Sequence, residues 1–145
     1  VNIVDWVNLP PEATYDIGPI VKRVKKQMAG GHGMAAIAIQ KDSAAEWGRG
    51  RQWGAELAAL YVTIDFNRLT VKKVKKWYEH NANNEMYGFE IVRDGTQFHN
   101  IRKVVACRTC HGSGQIWRKG QGQAKCGVCV GVGYLDAREA EDGSL

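Results

Sequence analysis

The chain has 145 residues, of which 44% are hydrophobic and 24% charged, and its 20 Lys and Arg against 15 Asp and Glu give a formal net charge of +5. This length suits one compact domain, or a helical body with a small metal-bound appendage, and excludes two large independent domains. No segment approaches the roughly 20 consecutive apolar residues of a membrane span, so we expect a soluble protein without a membrane partner. No signal peptide is recognisable at the start, which predicts a reducing cytoplasm.

The positive charge is unevenly distributed along the sequence. Residues 17–30 contain four basic residues and no acid, whereas residues 136–145 are mainly acidic. Residues 95–135 also lack acids and contain Arg102, Lys103, Arg108, Arg118, Lys119 and Lys125. Basic segments without acids suit a polyanionic partner such as nucleic acid, although solvated helix faces would give the same pattern.

Hydrophobic periodicity predicts a mainly α fold for most of the chain. We expect a loosely ordered leader over residues 1–11, ending at Pro10 and Pro11, and a helical, basic body over residues 12–106. Apolar residues recur at helical spacing from Ile17 to Met28, and the helix should stop at Gly30. The glycines of GGHG (30–33) are interpreted as a loop, because no strand precedes them and no Lys-Ser/Thr follows them.

Further helices are predicted over residues 34–40, 52–64 and 71–80. The last two, joined by a short connection at 65–68 with Thr70 as a cap, form a helix-turn-helix-like pair whose second helix is strongly basic. If that helix enters the major groove of double-stranded DNA, the contacts come from Arg68, Lys72, Lys73, Lys75 and Lys76. Residues 86–106 fit either a strand pair turning at Asp94-Gly95 or a helix after Gly95, and we favour the helix.

Four cysteines in two close pairs predict a metal site at residues 107–134. Cys107, Cys110, Cys126 and Cys129 follow the spacing C-x2-C, fifteen residues, C-x2-C, and both halves read CxxCxGxG. Two residues between cysteines allow a tight turn to aim both sulfurs at one ion, and the glycines permit the positive φ angles such turns need. The pattern predicts one structural Zn²⁺, with disulfides or an iron–sulfur site as alternatives.

The segment between the two cysteine pairs, QIWRKGQGQAK (115–125), predicts a hairpin. It presents Trp117, Arg118 and Lys119 as candidate contacts for a partner. Trp117 either stacks on a nucleic-acid base or a protein, or packs over its own metal site. An acidic tail follows over residues 135–145.

The sequences CRTCHGSGQ and CGVCVGVGY, together with GGHGMAAIAIQK upstream, resemble the late-gene antitermination protein Q family of lambdoid bacteriophages. The resemblance implies a non-enzymatic factor in the bacterial host cytoplasm that binds DNA near a late promoter. It also implies contact with the RNA polymerase holoenzyme at its RNA exit channel, which allows transcription through terminators. Unlike family members of the lambda type, this sequence ends eleven residues after Tyr134.

Two other functions compete with this interpretation. The CxxCxGxG unit is also similar to the cysteine-rich domain of DnaJ-type chaperones, which suggests a zinc-dependent protein-binding module, but this sequence has two units and no HPD motif. A zinc-bearing nuclease or nucleotide-modifying enzyme would need an open metal site with nearby carboxylates or histidines. The histidines, namely His32, His80, His99 and His111, are scattered and predict no such site.

Overall fold

The computed structural model describes residues 2–7, 13, 16–31, 33–42, 45–50, 52–120 and 122–141, and the fold is mainly β. Of these residues 40% lie in strands and 18% in helices, so the prediction of a mainly α fold is wrong. The elements in chain order are β1 (Asn2–Val7), α1 (Ile17–Gln27), β2 (Ala35–Ile39), α2 (Gln52–Leu57), β3 (Leu60–Asp65), β4 (Arg68–Val74), β5 (Met86–Val92), β6 (Gln97–Ala106), β7 (Gln115–Arg118), β8 (Gly122–Lys125), β9 (Tyr134–Asp136) and α3 (Ala137–Glu141).

Three sheets contain these strands. Strands β1 and β2 form a parallel pair, β7 and β8 form an antiparallel pair, and the largest sheet has the order β3-β4-β5-β6-β9. By contacts between residues the chain divides into two compact units, Val1–Asp65 with Val71–Asn84 and Phe66–Thr70 with Glu85–Leu145. Among the helices that the structure describes, none is both long and apolar enough to span a membrane.

The first unit contains a β1-α1-β2 crossover. A parallel pair of strands needs such a connection, and α1 provides it in the place where helical periodicity predicted a helix. Residues 35–39, predicted to be helical, instead form β2, in which half-buried and exposed residues alternate. Within the expected leader, residues 2–7 form β1, and residues 1 and 8–11 lie outside the described residues.

Close packing of small and large residues forms the core of this unit. Ile17 of α1 is 1% exposed and Ala55 of α2 is 3% exposed. Gly50 has a φ of 84° and lies close to Ile17. A Cβ added to Gly50 would be 2.9 Å from the Cδ1 atom of Ile17. The helix predicted over 52–64 is confirmed only to residue 57, because residues 60–65 form β3.

The proposed recognition helix is absent, because residues 68–74 form strand β4. Val71 is buried at 7% exposure, and its carbonyl accepts a hydrogen bond from Asn84 N at 2.7 Å. Thr70, Val71 and Val74 are β-branched, which favours a half-buried strand over a helix. The prediction of a helix-turn-helix-like pair over 52–80 is therefore wrong.

The second unit is built on antiparallel pairing of β4, β5, β6 and β9. Strands β5 and β6 form a hairpin whose turn, residues 93–96, has positive φ at Arg93, Asp94 and Gly95. This confirms the strand-pair alternative and excludes the favoured helix after Gly95. Phe89 of β5 is buried and meets Phe98 of β6 edge to face, with ring centres 5.0 Å apart.

The ends of two neighbouring strands define where the cysteine-rich segment begins and ends. Val104 pairs with Asp136 and Ala106 with Tyr134, so β6 and β9 lie side by side. Cys107 follows the last residue of β6, and Gly133 precedes the first residue of β9. Residues 107–133 therefore connect two hydrogen-bonded neighbouring strands, and the sheet holds both ends of this segment.

We predict that Tyr61→Phe destabilises the first unit. The buried backbone N–H of Gly48 donates to the Tyr61 hydroxyl at 2.9 Å, and the substitution leaves that donor without its acceptor. The expected loss in the free energy of unfolding is about 1–3 kcal/mol, measured by urea denaturation with tryptophan fluorescence. Tyr78→Phe is the matched control, since Tyr78 is 99% exposed. Equal stability of the two variants would contradict this role for Tyr61.

Candidate metal centre

The four cysteines converge as their spacing predicted. Their Sγ atoms all lie within 4.8 Å of one another, with 3.9 Å between Cys107 and Cys126 and 3.6 Å between Cys110 and Cys129. All four side chains are buried at 5% exposure or less. Four sulfurs at about 2.3 Å from a central ion would be about 3.8 Å apart, so the cluster has the dimensions of one tetrahedral thiolate site.

Two segments with the same backbone geometry supply these ligands. We call Cys107–Gly114 the first knuckle and Cys126–Gly133 the second knuckle. In the first, Gly114 N donates to Cys110 Sγ at 3.3 Å, and in the second, Gly133 N donates to Cys129 Sγ at 3.2 Å. Such N–H donors partly neutralise metal-bound thiolates, so the hydrogen bonds orient the sulfurs and also favour their charged form.

The knuckles also bind each other reciprocally through their backbones. Cys107 N donates to Gly133 O at 3.0 Å, and Cys126 N donates to Gly114 O at 2.9 Å. The second unit thus contains a local pseudo-twofold arrangement, in which each knuckle begins where the other ends. Because Cys107 directly follows β6, its hydrogen bond to Gly133 extends the β6–β9 pairing up to the cysteine cluster.

Glycine is required where the knuckles cross. Gly114 and Gly133 have φ angles of 74° and 89°. A Cβ on Gly114 would lie 2.2 Å from Gly131 O, and a Cβ on Gly133 would lie 2.4 Å from Gly112 O. No side chain fits at these distances, so the second glycine of each CxxCxGxG unit is fixed by close approach of backbone as well as by its own φ angle.

Burial and backbone dipoles act in opposite directions on the thiols. Burial raises the pKa of Cys107, but hydrogen bonds from the backbone N–H groups of Cys110 and Thr109, together with those to the thiols of Cys110 and Cys126, lower the pKa to about 7. Burial dominates at Cys129 and raises its pKa to about 11, against the hydrogen bond from Gly133. A divalent cation among the sulfurs would supply the positive charge that four buried thiolates need.

Strands β7 and β8 form the predicted hairpin between the knuckles, with Gln115 paired to Lys125 and Trp117 to Gln123. Ile116 packs against the cysteine cluster, so the next residue, Trp117, points to the opposite face and is 80% exposed. Trp117 does not pack over the metal site. Arg118 and Lys119 are also exposed, which leaves all three candidate contact residues accessible.

The second knuckle carries an apolar surface that the sequence analysis did not identify. Val128, Val130 and Val132 are 39%, 77% and 54% exposed. Val130 has a φ of 53°, an outlier for a β-branched residue, whereas the matching position of the first knuckle holds His111 at 51°. Aligning the two knuckles on their cysteines would have revealed that the valines replace polar residues.

The basic residues assigned to DNA contact are not gathered on one face. Arg68 lies over the Tyr134 ring at 5.8 Å, and Lys72 pairs with Glu46 at 2.9 Å. Lys75 donates to the carbonyl of Glu56. Lys72 and Lys73 are neighbours in a strand and therefore point to opposite faces. Lys76 is exposed beyond the end of the strand.

Comparison of the chain with protein-family models, with curated proteins and with solved structures found no match. Among the described residues, the four cysteines are the only group of three or more His, Cys, Asp and Glu that is close enough to share an ion. His80, His99 and His111 belong to no such group, and His32 lies outside the described residues, as do residues 142–145 of the acidic tail.

We predict that Cys126→Ser abolishes high-affinity metal binding and unfolds residues 107–133. Three remaining thiolates leave the shell incomplete, and the buried serine hydroxyl is a poor ligand for a soft site. Metal content per chain by elemental analysis and amide NMR spectra of the knuckles test this. Thr109→Ser, at an exposed position between two cysteines, is the control and should keep its metal. A fully loaded Cys126→Ser variant would show that the ligand set is wrong.

A second prediction concerns glycine rather than the ligands. Gly114→Ala should separate the knuckles and weaken metal binding about tenfold to a hundredfold, because it introduces backbone strain of about 1–3 kcal/mol beside the clash with Gly131. Competition with a chromophoric chelator measures the affinity. Gly127→Ala is the matched control, since its added Cβ has nothing within 4 Å. Indistinguishable affinities for the two variants would refute the steric argument.

Proposed function

We propose that the four cysteines hold one Zn²⁺ as a structural ion. A tetrahedral set of four sulfurs is typical of zinc or of iron, and a cluster of several irons would separate its sulfur ligands beyond the reach of a single ion. The spacing between 3.6 and 3.9 Å across the knuckles suits a single ion. The reducing compartment expected from the sequence also favours a metal over disulfides.

We further propose that this site does no chemistry on a substrate. Four thiolates complete a tetrahedral shell, so no position remains for an activated water or for a substrate oxygen. The ion would instead act by ordering the knuckles, whose apparent zinc-binding energy in comparable small folds is about 10–16 kcal/mol at neutral pH. The closed shell thus supports a structural role for the ion.

For the chain as a whole we propose transcription antitermination of the lambdoid Q type, through contacts with DNA and with bacterial RNA polymerase. The observation that carries this proposal is the pair of matched knuckles, CRTCHGSGQ and CGVCVGVGY, folded around one buried cysteine cluster. The acid-free segment 95–135, which includes both knuckles, supports a polyanionic partner. The described residues offer no helix-turn-helix for this purpose, so any DNA contact uses another surface.

A transcription assay on a template with a lambdoid late promoter and a downstream terminator tests this function. We predict read-through by purified RNA polymerase in the presence of the zinc-loaded chain, and termination on a template that lacks the promoter-proximal segment. The Cys126→Ser variant should lose the effect and Thr109→Ser should keep it. Termination unaffected by the loaded wild-type chain on both templates would contradict antitermination.

A protein-binding module of the DnaJ kind is the second candidate, and the exposed valines of the second knuckle favour it. The positive φ of Val130 belongs to the knuckle turn, because His111 has the same conformation at the matching position. Val128, Val130 and Val132 are 39%, 77% and 54% exposed, so packing inside the chain does not account for three apolar side chains at this surface. An apolar contact with another polypeptide would bury them.

The first knuckle provides the substitutions that test this candidate. Val128→Thr, Val130→His and Val132→Ser replace each valine by the residue at the matching first-knuckle position. If the chain binds unfolded polypeptide, the triple variant should lose that binding and keep its zinc, as measured by suppression of aggregation of a denatured protein. Equal activity of the triple variant and the wild type would remove the valines from this function.

A further inference from the structure

The outward face of the β7–β8 hairpin consists of four exposed side chains. Because Gln115 pairs with Lys125 and Trp117 with Gln123, these four residues project from the same side of the two strands. All four are exposed, whereas Ile116 and Ala124 on the other side are partly buried. The hairpin therefore presents one indole, two amides and one amine on a single small surface.

The indole of Trp117 is available for stacking. It is 80% exposed, and the ring contacts and cation–π pairs found among the described residues involve other aromatic side chains. The strand that carries Trp117 is anchored, because the neighbouring residue Ile116 packs against the buried cysteines. An exposed tryptophan on a rigid support presents a flat apolar surface at little cost in conformational entropy.

The positive charge around the hairpin indicates which kind of molecule binds its outward face. The stem of Lys125 lies over the second knuckle, with its Cγ and Cδ atoms 3.4 Å from the position of a Cβ on Gly131. Arg118 and Lys119 lie at the end of the same hairpin, and residues 95–135 contain no acid. Cations around an exposed aromatic ring are typical of a surface that follows a phosphate backbone while bases stack on the ring.

We propose that this face binds a single strand of nucleic acid, with one unpaired base stacked on Trp117. The amides of Gln115 and Gln123 lie beside the indole and offer donors and acceptors to the edge of that base. Lys125 and Lys119 contact phosphates on either side. A base within a duplex is stacked on its neighbours and hides both faces, so the site distinguishes a single strand from a duplex.

This inference depends on the proposed zinc loading, because the knuckles support the hairpin, but it does not depend on antitermination. The two therefore fail separately. If the zinc-loaded wild-type chain gives read-through but does not bind a single strand, only the stacking site is refuted. If it binds a single strand but gives no read-through, only antitermination is refuted.

Fluorescence polarisation with labelled twelve-nucleotide oligo(U), oligo(dT) and a twelve-base-pair duplex tests the proposal on the zinc-loaded full chain. We expect both single strands to bind more tightly than the duplex. Trp117→Ala should weaken single-strand binding about fivefold to a hundredfold, the effect of losing one stacked base, whereas Trp117→Phe should retain most of it. Comparison of oligo(U) with oligo(dT) determines whether RNA or DNA is preferred.

Two further variants separate stacking from charge and from folding. Lys125→Gln should reduce the dependence of log affinity on log salt by about 0.7 for one lost phosphate contact. Trp77→Ala, at a tryptophan that is 53% exposed outside the hairpin, is the matched control and should bind as the wild type does. Zinc content must be equal in all variants. Equal binding by Trp117→Ala and wild type, or equal affinity for duplex and single strand, would overturn the proposal.

Discussion

Four sulfur atoms approach one another closely in a segment that has almost no other buried side chains. Among the described residues, only Ile116 and Leu135 add partly buried apolar packing around the cysteines. The hydrophobic effect of so few side chains cannot order two glycine-rich turns, since each fixed residue costs about 1–2 kcal/mol of backbone entropy. A bound ion would supply that energy, and the proposed zinc would hold the knuckles where they cross and support the hairpin through Ile116.

The sheet and the cysteine cluster support each other. Strands β6 and β9 bring residues 106 and 134 into register, which places Cys107 next to Gly133 before any metal is considered. The hydrogen bond between these two residues then joins sheet to cluster without a linker. Beyond the cluster, Ile116 of β7 packs against the cysteines, and Trp117 on the other side of the hairpin is exposed. The sheet and the cluster thus support the hairpin from one side.

The convergence of the four cysteines was predictable because their geometry is local in sequence. Two CxxCxGxG units specify ligands, turn conformation and close backbone approach within eight residues each. The secondary structure of residues 12–106 was less predictable, as two nearly identical segments demonstrate. VKRVKK at 21–26 lies in α1, whereas VKKVKK at 71–76 begins inside β4. Five of six residues agree, so pairing with neighbouring strands decided the structure. In Ala35–Ile39 the alternation appears only in the burial of the side chains, because all five residues are apolar. The turn at Asp94-Gly95 did carry a strand signal, which helical propensity obscured.

The account rests on a mononuclear site with four sulfur ligands and no other donor. X-ray absorption at the zinc edge of the purified, metal-loaded chain tests that claim most directly. The account predicts a single shell of four sulfurs at about 2.3 Å. A shell containing nitrogen or oxygen, a metal–metal distance that indicates a cluster, or a fully folded chain without metal would contradict it.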